Sequence, residues 1–558
     1  MWLTAWLLLS FLTAPLNAQQ LDWVQQASGT GFQEARSTAV DNEGNVFVVG
    51  TFEGTTGFSA GSNNLNAVGV FDVFFAKYGP AGNLLWAKRI GGTGVDLGYG
   101  IAHDAAGNVF IAGNFMGTAD FDPGAGTANL SSFGNFDAFF AKYDTDGNLL
   151  WAHHVGGAMF EEARCIATDA SGNVVIAGIF SGVADFDPSD GIHTCQSMSD
   201  NDVYFAKYTP AGDLLWVKQL AGTGSERVLG MTIGHSGHLY LAGHFQETVD
   251  FDPSGAIGNR SVVGDSDLFF ARYDGDGNLV WAKSVGGFFY EEVRGIAVDR
   301  LDNVYITGRY GETVDFDPGP GISELDNAGI NDAFFAKYDA SGNLTWAKKI
   351  GGEGNDIGNS IAVDTLGRVY LSGQFMNTVD FDPGDNTSDM TGPGDIDIFL
   401  AQYDASGNFI WAKSIGGTQM EESTAIALDA RGNLYLTGFF KGIADFEPGP
   451  DATNLTSSGK EDAFIAKYSA PATTTHAVLV LNARMYPVPA ADVLHIALPG
   501  HAGEVHCAVF DLTGRMLLAQ QGEGENTTVD LGGFDNGVFY LQIRTAQGAK
   551  SLPFEILR

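Results

Sequence analysis

The chain has 558 residues, with 29 Lys and Arg against 67 Asp and Glu, a formal net charge of -38. A surface this acidic repels phosphate backbones and argues against nucleic acid as a partner. Apolar residues at 44% exclude wholesale disorder, and three cysteines cannot make a disulfide scaffold.

Residues 1–18 read as a signal peptide. Trp2 to Leu16 is apolar apart from Thr4, Ser10 and Thr13, and Leu16-Asn17-Ala18 offers a small residue before a cut. Cleavage is therefore expected near Ala18. The segment lacks Lys and Arg, and its apolar run is short for a membrane-spanning helix. A soluble mature protein is expected after export.

Residues 19–468 are dominated by a repeat. Trp86, Trp151, Trp216, Trp281, Trp346 and Trp411 are spaced by 65, and Trp23 precedes Trp86 by 63. Asp72, Asp137, Asp202, Asp267, Asp332, Asp397 and Asp462 keep the spacing of 65 throughout. Each unit holds four strand-like pieces, for example Ser360–Val363, Val369–Gly373, Ile398–Tyr403 and Phe409–Lys413. Turns such as Asp169-Ala-Ser-Gly-Asn173 join the first piece to the second, and Asp339-Ala-Ser-Gly-Asn343 joins the third to the fourth. Asp opens such turns with its side chain and Gly accepts positive φ, so tight hairpins are expected.

Four antiparallel strands in each of seven units predict a seven-bladed β-propeller. The chain opens with a fourth-strand piece, Leu21-Asp-Trp-Val-Gln25, and its repeats end on a third-strand piece, Phe464–Tyr468. The first strand is thus expected to complete the last blade and leave no unpaired edge. The repeat resembles the SBBP family of β-propeller repeats, on residues such as Gly286-Gly287, Ile296-Ala-Val-Asp299 and Asn303-Val-Tyr-Ile306. That resemblance implies the fold and says little about activity.

Alternating strands sort the loops by face. The connection from second to third strand runs about twenty residues and suggests a binding surface. Six units carry Asp-Phe-Asp-Pro or a close variant there, including Asp120/Asp122 and Asp315/Asp317. Ten residues after each later tryptophan comes another acid: Asp96, Glu161, Glu226, Glu291, Asp356 and Glu421. They are expected to ring one mouth of the channel. Two readings of these acids stand. They form a face for Ca²⁺ or a cationic ligand, or they accept backbone N–H bonds and hold the loops. Recurrence in nearly every unit favours the second. Asp144-Thr-Asp-Gly147 and Asp274-Gly-Asp-Gly277 echo a calcium loop but lack its distal acid.

Catalytic signatures are scarce. No Gly-x-Ser-x-Gly elbow or His-Glu-x-x-His helix appears. His238 and His244 fall at opposite ends of one strand, roughly 20 Å apart, too far to share a metal. Glu161-Glu162, Glu291-Glu292 and Glu421-Glu422 are the places for a glycosidase-like pair. Cys165 opens an innermost strand and Cys195 lies in the following long loop, so export would allow a disulfide between them.

Residues 469–475 are a linker of small residues, and 476–558 form a separate unit of short strands, expected to be a small β-sandwich. This tail resembles the C-terminal sorting domain of cargo exported by the type IX secretion system of Bacteroidetes. The carrying residues are Tyr486-Pro487-Val-Pro489 through Ile496, Val509 to Arg515 including Gly514, and Gly537-Val-Phe-Tyr-Leu-Gln-Ile543. The family usually has Asn where this chain has Val488. The resemblance implies the type IX machinery as a partner and release or attachment at the cell surface.

The sequence thus reads as all-β: a seven-bladed propeller followed by a small β-sandwich. The leading function is a monomeric, non-enzymatic binding or scaffold protein for an extracellular protein or glycan. The alternatives are a polysaccharide-acting enzyme and a calcium-stabilised adhesion module.

Overall fold

The computed structural model describes residues 19–58, 64–256, 258–447, 452–469, 483–499, 503–510, 516–534, 536–545 and 548–558. The signal segment 1–18, residues 470–475 of the linker and Gly514 of the sorting motif lie outside the described residues. The described residues are all-β, with antiparallel sheets and no helix. The chain divides into two compact units, Met1–Ala470 and Pro471–Arg558.

The first unit is a propeller-like repeat of sheets. Gln33–Val40 pairs with Val46–Phe52, which pairs with Asp72–Tyr78, which pairs with Leu84–Gly92. The same order recurs down the chain. The strands that open each sheet are Gln33–Val40, Asp96–His103, Glu161–Thr168, Glu226–Ile233, Glu292–Val298, Ile357–Val363 and Glu421–Leu428. Each packs against its counterparts in the sheets before and after, and the last packs against the first. The N-terminal strand Gln20–Gly29 lies antiparallel to Asp462–Ser469, with Trp23 opposite Lys467 and Val24 opposite Ala466.

The repeated residues explain this order. The third strand, Asp137–Tyr143 in one unit, is buried along its whole length, as strands covered on both faces must be. Its Tyr143 hydroxyl donates to the Phe121 carbonyl at 3.0 Å, and Tyr208, Tyr273, Tyr338, Tyr403 and Tyr468 make the matching bond. Phe121, inside the Asp-Phe-Asp-Pro segment, is buried, which contributes roughly 2–3 kcal/mol for such a ring. The flanking short strand, Thr118–Asp120, pairs with Leu84–Gly92 of the preceding sheet, so the long loop extends its neighbour. The tryptophans bridge sheets as well: Trp86 Nε1 donates to the Thr145 carbonyl at 3.1 Å, and Trp151, Trp281 and Trp346 do the same one unit on. A period of 65 therefore marks contacts between neighbours as well as within a sheet.

The hairpins are closed as their chemistry requires. Asp104 Oδ1 accepts the Ala106 and Asn108 N–H groups, and Gly107 sits at φ +80°. Where the Gly is replaced, Asp302 takes the left-handed conformation itself, at φ +60°, and pairs with Arg272 at 3.1 Å.

In the second unit, Arg484–Tyr486, Val493–Ala497 and Asn526–Asp530 form one sheet. Glu504–Phe510, Met516–Glu523, Gly537–Thr545 and Gly548–Ile556 form another. Leu494, Ile496, Val509, Leu541, Ile543 and Phe554 share one buried cluster between them. Tyr486 stacks on His495 with ring centroids 5.4 Å apart, Pro487 and Pro489 lie between the first two strands, and Gly537 begins the third strand of the larger sheet.

Candidate functional site

The recurring acids do not line the channel mouth as the sequence suggested. Asp96, Glu161, Glu226, Glu291, Asp356 and Glu421 are buried where one sheet meets the next. Gly92 N–H donates to Asp96 Oδ2 at 2.6 Å, and Gly157, Gly287, Gly352 and Gly417 donate in the same way to Glu161, Glu291, Asp356 and Glu421. These residues point to the junction instead, each beside the aspartate that opens the third strand of the preceding sheet. A Cβ on Gly91 would lie 2.8 Å from both Asp72 and Asp96, so the Gly-Gly step makes room for the two carboxyl groups.

Burial pushes the acid of each junction up, and its neighbouring aspartate adds to this. Asp96 rises to about 7, Glu161 to about 8, Glu226 to about 9, Glu291 and Asp356 to about 7, and Glu421 to about 8. Oxygens of Asp96, Glu161, Glu226, Glu291 and Glu421 lack hydrogen-bond partners. In the first unit the same position holds buried Gln33, an amide that stands where a protonated acid stands elsewhere.

The Asp-Phe-Asp-Pro acids hold their own loops. Asp120 Oδ1 accepts the N–H groups of Asp122 and Ala128, and Asp122 Oδ1 accepts that of Gly124. Asp315 and Asp317 repeat the arrangement with Asp317, Ser323 and Gly319. Asp144 and Asp274 close hairpins. Among the described residues no three His, Cys, Asp or Glu side chains converge as a set of metal ligands. Cys165 and Cys195 are free thiols, so the disulfide the sequence allowed is not formed. Cys165 lies on an innermost strand, whereas Cys195 lies on the outermost strand of the preceding sheet.

The candidate site lies among the innermost strands. A cavity of about 510 Å³ opens among the innermost strands. Each of these strands carries a β-bulge at one repeat position. The bulged residues are Arg36, Tyr99, Arg164, Leu229, Arg294, Asn359 and Thr424, and all line the cavity. A bulge re-aims its side chain. The backbone distortion repeats while the side chain changes, which is how a symmetric scaffold presents an asymmetric surface. Below this layer Ile101, Ile166, Met231, Ile296, Ile361 and Ile426 form an apolar floor.

Ion pairs tie the layer together. Glu34 pairs with Arg36 at 2.8 Å and Glu292 with Arg294 at 2.6 Å, while Glu162 lies 3.4 Å from Arg164 and 3.6 Å from Arg227. The guanidinium groups of Arg36 and Arg164 lie over the Tyr99 ring, 4.8 and 5.4 Å from its centroid. Tyr290 donates to Glu292 at 3.0 Å and contacts His244 Nε2 at 2.9 Å. Burial lowers His244 to about 4, so it is neutral at pH 7. Arg294 and Arg309 hold Glu292 ionised against its burial, whereas burial raises Glu422, and nearby Glu34 and Glu461 add to this against the pull of Arg294. Glu162, Glu292 and Glu422 were reached from the sequence as acid pairs. The arginines and Tyr99 were not; their signal was the position where the innermost strand stops repeating.

Residues 484–552 match the family described as Secretion system C-terminal sorting domain, and residues 85–114 and 345–374 match the SBBP Beta-propeller repeat. The chain thus joins β-propeller repeats to a type IX sorting domain, which marks a protein for export to the outside or the outer-membrane surface. It is 23% identical to the "Uncharacterized WD repeat-containing protein L264" of Acanthamoeba polyphaga mimivirus, over 69% of this chain and 33% of that protein. It is 30% identical to the "Regulatory protein FlaEY" of Caulobacter vibrioides, over 25% of this chain and 14% of that one. The chain therefore spans a third or less of these curated relatives. A solved tetra-tandem repeat from the extending region of a large adhesion protein aligns over 82% of this chain and 99% of its own, with 10% identity and a TM-score of 0.11, a likeness too slight to carry an argument.

Proposed function

We propose that the mature chain is a closed seven-bladed β-propeller, residues 19–468, joined by the linker 469–475 to a β-sandwich sorting domain, residues 476–558. It acts as a non-enzymatic binding or scaffold protein, exported through the type IX system after loss of residues 1–18. The pairing of Gln20–Gly29 with Asp462–Ser469 and the cycle of innermost strands support the closed ring. The two packed sheets around Leu494 and Leu541 support the sandwich.

The observation that carries the binding function is the ring of bulged residues. Seven strands share one distortion and present Arg, Tyr, Leu, Asn and Thr at it. A purely structural feature has no need to vary in this way. Hydrolysis is the weaker reading, because a proton donor must be free to hold a proton. Glu162 and Glu292 are instead tied to guanidinium groups, and the raised acids beside them, Glu161 and Glu291, are buried at the sheet junctions.

Two measurements test the proposal. Deleting residues 476–558 should leave the protein inside a type IX-competent cell, and surface delivery of the truncated chain would overturn the export route. Arrays of extracellular peptides and glycans probed with the full chain should give binding that Arg227→Gln weakens. Ligands bound equally by both proteins would place binding elsewhere.

A further inference from the structure

The charges of the cavity are not evenly spread around it. One arc carries Arg164, Arg227, Arg294 and Arg309 against Glu162 and Glu292. Two of these guanidinium groups share one Glu162 oxygen at 3.4 and 3.6 Å, so neither has a carboxylate to itself. The Arg227 side chain is 42% exposed. The opposite arc, on the strands Glu421–Leu428 and Gln33–Val40, carries Glu422, Glu34 and nearby Glu461, with Arg36 on the same arc and Arg294 reaching toward Glu422 from its neighbour. At the bulge of its own strand Glu422 meets Thr424, where Glu34, Glu162 and Glu292 each meet an arginine.

We propose that the cavity binds a short peptide with free ends, laid across the channel with its carboxylate on Arg164 and Arg227 and its ammonium group on Glu422 and Glu34. This inference rests on the reading of the cavity as the ligand site. A forked guanidinium matches a planar carboxylate with two parallel hydrogen bonds. A cation beside Glu422 relieves the crowding of like charges there. Between the arcs Tyr99 lines the cavity, where its hydroxyl meets a peptide backbone. The isoleucine floor takes small apolar side chains.

The test is titration calorimetry of the full chain with trialanine, N-acetyl-trialanine, trialanine amide and a digalacturonate. Trialanine should bind, and capping either end should weaken it about tenfold or more, as loss of a charge-assisted bond does. Arg227→Gln should erase the preference for a free carboxylate, and Glu422→Gln the preference for a free amine. Equal binding of free and capped peptides overturns the proposal. Binding of digalacturonate alone, lost in Arg227→Gln, also overturns it while leaving the cavity as the ligand site. Binding of none of the four overturns the peptide, and the same silence across the peptide and glycan arrays removes the cavity as a ligand site.

Discussion

The buried acids at the sheet junctions predict that the first unit loses stability as pH rises. An unfolded carboxyl group titrates near 4, whereas the folded acids hold their protons to about 7 at Asp96, 8 at Glu161 and 9 at Glu226. Between these limits the folded state binds more protons than the unfolded state, so stability is greatest below about pH 4–5 for this effect and falls through the folded values. A carboxyl whose titration is displaced by one pH unit on folding changes stability by about 1.4 kcal/mol, so a displacement of only that size at each of the six acids amounts to about 8 kcal/mol. That is comparable to the whole stability of an ordinary domain.

The hairpin aspartates act in the opposite sense and in a different window. Asp104, Asp144 and Asp169 are held below the usual range by the N–H groups of their turns, in spite of burial. Their stabilisation is complete above about pH 4 and lost below it. Thermal unfolding followed by circular dichroism at constant ionic strength should therefore give a highest Tm near pH 5 and a steady fall to pH 9. Glu161→Gln and Glu226→Gln should each flatten the fall and raise Tm at pH 9, since Gln33 already fills the same place in the first unit. A Tm that is flat or rising from pH 5 to 9, or Gln variants less stable at pH 9, would refute the reasoning.

Three further outcomes are expected. Adding Ca²⁺ or a chelator should leave Tm unchanged, because Asp120, Asp122, Asp315 and Asp317 already accept backbone N–H groups; a rise of several degrees with Ca²⁺ would restore the calcium reading. All three cysteines should react with a thiol reagent in denaturant without reductant, and a single reactive thiol would show that Cys165 and Cys195 pair after all. Tyr143→Phe should cost about 1 kcal/mol in denaturant melts, the net worth of one buried hydrogen bond to the Phe121 carbonyl.

The sheets were legible in the sequence because their causes are local and repeated. Alternation, Asp-x-x-Gly-Asn turns and tryptophans every 65 residues each leave a mark in the chain. The cavity was legible only in part. Glu162, Glu292 and Glu422 stood out as neighbours of recurring acids, yet the spacing that flagged Glu161 said nothing of which way it points. A bulge shifts the register by one residue, and nothing in Ala35-Arg36-Ser37 or Gly98-Tyr99-Gly100 announces that shift. The disulfide failed for a related reason. Cys195 follows Cys165 closely in sequence, but its strand extends the preceding sheet.

The two acids of each Glu-Glu step show how the fold divides its labour. Glu161 is repeated as an acid in every later unit and is buried at a junction, where its work is the same each time. Glu162, one residue on, becomes Arg227, Glu292, Ile357 or Glu422 in other units, and Arg227, Glu292 and Glu422 line the cavity. Adjacent residues of a strand point to opposite sides, so a single strand can carry an invariant structural face and a freely varied recognition face. The bulge that follows two residues later adds a second varied layer beneath the first. Under the proposed binding function, such an arrangement would let the cavity-lining residues change without disturbing the acids at the sheet junctions, because the two lie at adjacent positions on opposite sides of the strand.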